Sequence, residues 1–448
     1  MRTYKQKEHN MTQGRIVVPL IAFTIPLVLG NLIQLTYNAV DSIIVGKLLG
    51  EEALAAVGTS TPIMNIAILL ISGMCMGASV LMSSQYGAED YDTLSRQIST
   101  TMLAGCGFSV VFSLLMMFLA APVLRLIRVP TDVIPDASAY LRIIFLGLIF
   151  TFVYNFLANT MRALGDSRTP LYFLLVSSVL NIGLDMLFVA VFKLGVMGSA
   201  IATVLSQALC CLFCVFYIKL RIPLLCLGKK WLTFDRGLLK RTVSYGSTSA
   251  MQQVCLQVGK VIIQSVVNTQ GVSVMAAFTA VNKVDDFAYT PQQNIGHAMT
   301  TFIAQNKGAG HQERIKKGFK CGLLIELCYS VFLLVFIFIA APMIMGWFTK
   351  DNNVQAVQLG TDYLRLISFM YILPGFTNGI QGFFRGMGDM KVTLYSTFMN
   401  MLGRVVAVII MVRVLELGFV SLAWANMIGW IVMLLFEVPL LIRSVRRL

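Results

Sequence analysis

Charge is scarce in this chain. Only 12% of its 448 residues are Asp, Glu, Lys or Arg, against 57% apolar residues, a balance that excludes a soluble globular domain. The scarcity is also local. No charged residue occurs from Ala53 to Ala88, Gln97 to Leu124, Leu194 to Ile218, Val261 to Asn282, Leu327 to Thr349 or Leu417 to Phe436. Each run is as long as the roughly 20 residues that cross a bilayer. Shorter or singly interrupted runs fill the gaps, so about twelve spans are expected. All should be helices, because only a helix satisfies its own backbone in lipid. The expected fold class is an all-α integral membrane protein.

Other absences narrow the function. Histidine occurs three times (His9, His297, His311) and forms no H-E-x-x-H metal pair. No G-x-x-x-x-G-K-[ST] is present: Gly46-Lys47, Gly228-Lys229 and Gly259-Lys260 are each followed by the wrong residue. With no soluble domain large enough for ATP, transport driven by nucleotide hydrolysis within this chain is excluded. There is no G-x-S-x-G elbow, so an enzyme is not expected, nor is an organic cofactor. No pore-loop filter or ring of like charges marks a channel. The nine cysteines are scattered in or beside spans and are not expected to form disulfides.

What charge there is has a pattern. The net charge is +14, and the Lys and Arg residues concentrate in alternate loops and both tails. The opposite loops hold Lys47, Arg125, Arg128, Lys193, Lys350 and Arg413, with Arg142 near one of them. The positive-inside rule then puts both termini in the cytoplasm. The basic stretch Lys219 to Arg241 is therefore topology, and no nucleic-acid partner is expected. The first apolar run is too long for a signal-peptide core and reads as span 1.

The chain repeats itself. Arg162-Ala-Leu-Gly-Asp-Ser-Arg-Thr-Pro170 returns as Arg385-Gly-Met-Gly-Asp-Met-Lys-Val-Thr393, with Leu-Tyr following both times. Earlier in each copy Pro26 falls on Ser247, Asn31 on Gln252, Gly50 on Gly271 and Gly87-Ala88 on Gly308-Ala309. The expectation is two six-helix lobes: 1–220 (spans 1–6) and 241–448 (spans 7–12), joined by a cytoplasmic basic linker, 221–240. An even number of spans per copy makes the repeat parallel, and such duplicated membrane chains are transporters with the binding cavity between copies.

The copies differ in buried charge. Asp41, late in span 1, has Ile262 as its repeat partner, and Asp185 in span 5 has Val408. The repeat keeps the packing and drops the carboxylates, so these acids do not serve the fold. Intramembrane carboxylates are costly and functional by default. Asn181 lies one turn before Asp185, and Thr203 adds a hydroxyl in span 6. Such oxygens suit a hard cation or a proton relay. Candidates for lining a substrate cleft are Gln34, Tyr37, Asn38, Asn155, Asn159, Gln252, Gln253, Lys283 and Arg404; singly, such amides also serve as helix–helix glue. Arg404 occupies the repeat position of Asn181. Lys283 and Asp286 are i,i+3 neighbours that can neutralise each other, and Glu326 and Glu437 read as nearer helix ends. Pro26 permits a kink in span 1 and is the candidate hinge.

These residues resemble the multidrug and toxic compound extrusion (MATE) family. The likeness covers about Gly14 to Arg443. It rests on Pro26, Asp41-x-x-x-x-Gly46, Gln85-Tyr86-Gly87-Ala88, the Arg162 segment, Asn181-x-x-x-Asp185 and Lys283-x-x-x-Phe287-x-x-x-Pro291. The resemblance implies a V-shaped cleft and export of amphipathic, mostly cationic drugs by antiport against H+ or Na+. It is nearest the bacterial branch resembling the DNA-damage-inducible protein F type, whose first-lobe coupling site matches Asp41, Asn181, Asp185 and Thr203. Na+ at Asp41, Asn181 and Asp185 is the one metal that resemblance admits. Another branch uses acids on spans 7 and 10, where this chain has Gln252-Gln253 and Asn378, so that second-lobe site is expected to be absent. A monomer in the plasma membrane, contacting lipids and small-molecule substrates, is implied. The alternative is a lipid-linked precursor flippase with a cationic central cavity, which Lys260, Lys283 and Arg404 keep open.

Overall fold

A computed structural model describes residues 11–127, 129–222, 232–348 and 354–448. Arg128, Lys350 and residues 223–231 of the expected linker lie outside the described residues. The protein is all-helical, with no strand among the described residues. The first copy of the repeat comprises α1 (Val17–Leu49), α2 (Glu51–Gly87), α3 (Tyr91–Leu126), α4 (Ile134–Leu146), α5 (Leu148–Ala163), α6 (Arg168–Asp185) and α7 (Gly195–Arg221). The second comprises α8 (Arg236–Val267), α9 (Val272–Gly308), α10 (Gln312–Phe348), α11 (Val354–Ser368), α12 (Ile372–Gly386), α13 (Met390–Ile409) and α14 (Ser421–Arg446).

Eight of these helices are long and apolar enough to cross a membrane, and α4 with α5, bent by 46°, make a ninth. Helices α8 and α9 fall short because polar and charged residues replace apolar ones along them, and α11 and α12 because each is only 15 residues long. With α4–α5 and α11–α12 each read as one broken span, the helices order into six spans per copy.

The repeated Arg162 and Arg385 segments are helix-to-helix connectors. Gly165 (φ 92°) and Gly388 (φ 82°) take the left-handed conformation that closes α5 and α12. Asp166 then opens α6, its Oδ1 accepting from the backbone N–H of Arg168 and Thr169 at 3.0 Å each. A cap of this kind is worth about 1 kcal/mol. Asp389 stands at the same point of α13 without a side-chain cap bond.

A second shared feature follows α6 and α13. Each passes into a π-helical segment, π1 (Met186–Val191) and π2 (Ile410–Val414). Phe192 N bonds Leu187 O and Leu415 N bonds Ile410 O, both at 2.9 Å. The exits repeat too: Lys193 and Glu416 both have φ 51°. Since Val408 leads into π2 where Asp185 leads into π1, the widened turn belongs to the fold and not to the carboxylate.

Contacts divide the chain into two compact units: unit 1 contains Ile25–Ala250, and unit 2 contains Met11–Thr24 with Met251–Leu448. The division falls inside α1, two residues before Pro26, and inside α8. In unit 1, α2 packs on the first half of α8, where a Cβ at Gly73 would meet the Ala250 backbone at 2.7 Å and one at Gly77 the Gly246 backbone. Thr233 and Asp235 dock on α3 through Ser99 and Thr100. In unit 2, α12 packs on α9, where a Cβ at Gly382 would lie 2.6 Å from Gly296 O. Both small-residue pairs thus bring helix backbones together. The segment before α1 docks on α9 and α10 of unit 2. Met11 N donates to Gln305 Oε1 at 3.2 Å, and Arg314 donates to the carbonyls of Met11, Gln13 and Gly14.

Candidate functional site

Three helices of unit 1 each bring a pair of polar residues four apart, which places each pair on one helix face. Helix α1 carries Tyr37 and Asp41, α6 carries Asn181 and Asp185, and α7 carries Ser199 and Thr203. They converge. The carboxyl groups of Asp41 and Asp185 lie within hydrogen-bonding reach of each other. Ser199 Oγ donates to Asp41 Oδ1 at 3.1 Å, and Asn181 Nδ2 donates to Thr203 Oγ1 at 3.4 Å.

Asp185 is fully buried, and neither of its oxygens receives an N–H or O–H. Asn181 Oδ1 is likewise without a donor. Tyr37 and the buried Tyr140 of α4 flank both acids closely enough to feel their charge. Beyond them lies an apolar layer that includes Val45, Val57, Ile144 and Val196. No ion pair reaches either acid among the described residues. Two facing carboxyl groups with one hydroxyl donor between them act as a unit: they accommodate a shared proton or a small cation far better than two free charges.

The structure brings Asp41, Asn181, Asp185 and Thr203 together, with Tyr37 beside them. It adds Ser199, which stands four residues before Thr203, and Tyr140. Asn155 and Asn159 bond within their own helix instead. Asn155 Nδ2 and Asn159 Nδ2 each donate to the carbonyl four residues back, at 2.8 Å. Gln34 and Asn38 are exposed on α1, and Pro26 is buried within that helix.

Unit 2 holds the rest. Gln252 is buried in a network, its Nε2 donating to Gln381 Oε1 at 3.2 Å and Thr397 Oγ1 at 2.9 Å. Gln253 is half-buried and Lys283 exposed. The salt-bridge partner of Asp286 is Lys260 at 3.7 Å, not Lys283. Arg404, half-buried with an unpartnered Nε, lies within electrostatic range of Asp285 but makes no ion pair with it. Asp285 is itself 5% exposed and accepts the Tyr371 hydroxyl. Glu326 and Glu437 are buried at 1% and 0% exposure within α10 and α14, away from the helix ends where their flanking residues suggested them.

The MatE family model matches the chain twice, over residues 26–187 and 249–411. The chain belongs to the MatE family. Each match covers one copy of the internal repeat. A MatE relative, the probable multidrug resistance protein YpnP of Bacillus subtilis, is 32% identical over 387 residues, spanning 86% of this chain and 85% of YpnP. The multidrug export protein MepA of Staphylococcus saprophyticus is 21% identical over 415 residues, spanning 92% and 90%. Among solved structures, a MOP-superfamily transporter from Pyrococcus furiosus superposes with a TM-score of 0.91 at 22% identity, over 98% of this chain and 99% of that one. An outward-facing multidrug resistance MATE transporter gives 0.90 at 22% identity, over 98% of both chains. MatE proteins are multidrug efflux transporters and not enzymes, and this chain is a multi-pass membrane protein of that family.

Proposed function

We propose that this MatE protein is a secondary active exporter that moves amphipathic, mostly cationic drugs outward in exchange for H+ or Na+. Asp41 and Asp185 are the coupling carboxylates, with Asn181 and Thr203 completing the set of oxygens and Ser199 donating to Asp41 when the pair is empty. The observation that carries this reading is the facing pair of acids in apolar surroundings, without an ion-pair partner and with one hydroxyl donor. A cation loaded there disfavours the bound substrate, and its release on the other side readmits one. Only a ligand whose affinity differs between the two facings drives such a cycle.

The protein sits in the plasma membrane with both termini cytoplasmic, as a monomer of two six-span lobes, 1–220 and 241–448. The flippase alternative needs free positive charge in a central cavity. Lys260 is engaged by Asp286 and Arg404 stands near Asp285, which weighs against it.

The test is ethidium efflux from cells expressing the protein, with the proton and sodium gradients collapsed in turn. Efflux lost with one gradient names the coupling ion. Efflux and resistance unchanged in Asp41→Asn at equal expression would refute the assignment.

A further inference from the structure

Unit 2 buries three acids, Asp285, Glu326 and Glu437, that have no carboxylate counterpart in the first copy. Their repeat positions are Met64, the stretch Leu103–Gly105, and Cys214. Two of the three lie near an arginine. Asp285 takes the Tyr371 hydroxyl and lies near Arg404. Glu437 lies near Arg385, although neither of its oxygens receives a donor. Glu326 is different.

Glu326 is 1% exposed, and neither carboxylate oxygen receives a donor. No ion pair reaches it among the described residues. Across from it on α9 lies Gln292, 0% exposed. Gln292 Nε2 donates to Ser330 Oγ at 3.1 Å and to Tyr371 O at 2.8 Å, which fixes the orientation of the amide and leaves Oε1 without a partner. The groups meet at Gly375 of α12. A Cβ there would stand 2.8 Å from Ser330 Oγ, 3.2 Å from Gln292 Nε2 and 3.5 Å from Glu326 Oε2.

Three buried acceptor atoms therefore share a small region with no donor to satisfy them. Buried acceptors are normally paired, and each orphan costs about 1–3 kcal/mol, more for a charged group. One monovalent cation removes the conflict: a proton on Glu326, or Na+ held by its carboxylate and the neighbouring oxygens. The titratable neighbours do not compete for that role. Tyr329 donates its hydroxyl to Ala288 O, and Tyr371 is committed to Asp285.

We propose that Glu326, with Gln292 and Ser330, forms a monovalent-cation site in unit 2, holding H+ or Na+, separate from the Asp41–Asp185 pair. Because it concerns equilibrium binding, it stands or falls independently of the transport reading. The experiment uses the purified full-length protein carrying Asp41→Asn and Asp185→Asn, which silences the first site. Saturable binding of radioactive Na+ and the pH-titrated infrared band of protonated carboxyl groups are compared with and without Glu326→Gln. Loss of the Na+ binding supports the site with sodium as its ion, and loss of one titrating carboxyl band supports it with the proton. Identical Na+ binding and identical bands overturn it. If Glu326→Gln fails to fold, Ser330→Ala is read instead: a weakening of Na+ binding of about fivefold or a shifted carboxyl band is expected, and no change in either overturns the site.

Discussion

Neutralising Asp41 or Asp185 should cripple cation coupling to the same extent, and doing both should add little. The size of the effect follows from the geometry. A cation lodged between carboxyl groups in reach of each other sits about 4 Å from each charge. At an effective dielectric of about 20 each attraction is then about 4 kcal/mol. Losing one carboxylate lowers cation affinity roughly a thousandfold. Once one carboxylate is gone the ion no longer loads at the concentrations imposed, so the second substitution lowers efflux little further. The assay is drug efflux in vesicles as a function of the imposed cation concentration, for Asp41→Asn, Asp185→Asn and the double variant at matched expression. A single variant whose cation dependence stays within threefold of wild type would refute the reasoning, and so would two large effects that simply add.

Further outcomes are expected. Ser199→Ala removes the hydroxyl donor to Asp41; a hydrogen bond to a charged group is worth about 1.5–3 kcal/mol, so the empty pair becomes less comfortable. Cation binding should tighten by about tenfold and turnover fall, read from the same vesicles. Arg314→Ala deletes the guanidinium that holds the Met11, Gln13 and Gly14 carbonyls. A loss of about 2–3 kcal/mol is expected, measured as a lowered melting temperature in detergent, and Arg314→Lys should rescue it only in part because it lacks the fork. Asp90, outside the spans, accepts from Thr93 N at 3.1 Å, and these Thr93 bonds hold its carboxyl below the ordinary 3.8. Its stabilisation is thus present above about pH 3.8 and is lost as the pH falls through its lower native value. Asp90→Asn should remove that acid-dependent part, a small one because the group is exposed. A melting-temperature difference between Asp90→Asn and wild type that stays constant down to pH 2.5 would contradict it.

The spans were legible because a charge-free run of bilayer length is at home in lipid and costly almost anywhere else. The Asp41 cluster was legible through i,i+4 spacing: Asn181 and Asp185 announce a shared face, as Tyr37 and Asp41 do. Ser199 was hidden although it stands four residues before Thr203, because hydroxyls in apolar helices usually bond their own backbone, and it lies 158 residues from the acid it bonds. Glu326 was hidden for another reason. It borders the charge-free run Leu327–Thr349, so it read as a helix boundary, yet α10 begins at Gln312 and carries straight through it. Charge patterning marks where lipid-compatible sequence starts, which is not where a helix starts. Glu437 deceived in the same way at the other end of α14, which runs on to Arg446.

The division of the contacts has a consequence for how the chain is inherited and made. Unit 1 includes the opening of α8, and unit 2 includes the opening of α1. A gene cut between the copies would therefore not separate two self-sufficient products. Each product would carry a stretch whose hydrogen-bond partners belong to the other: Thr233 and Asp235 look for Ser99 and Thr100, while Met11 and Gly14 look for Gln305 and Arg314. During synthesis, unit 1 stays incomplete until the ribosome has passed residue 250, well beyond the end of its own repeat.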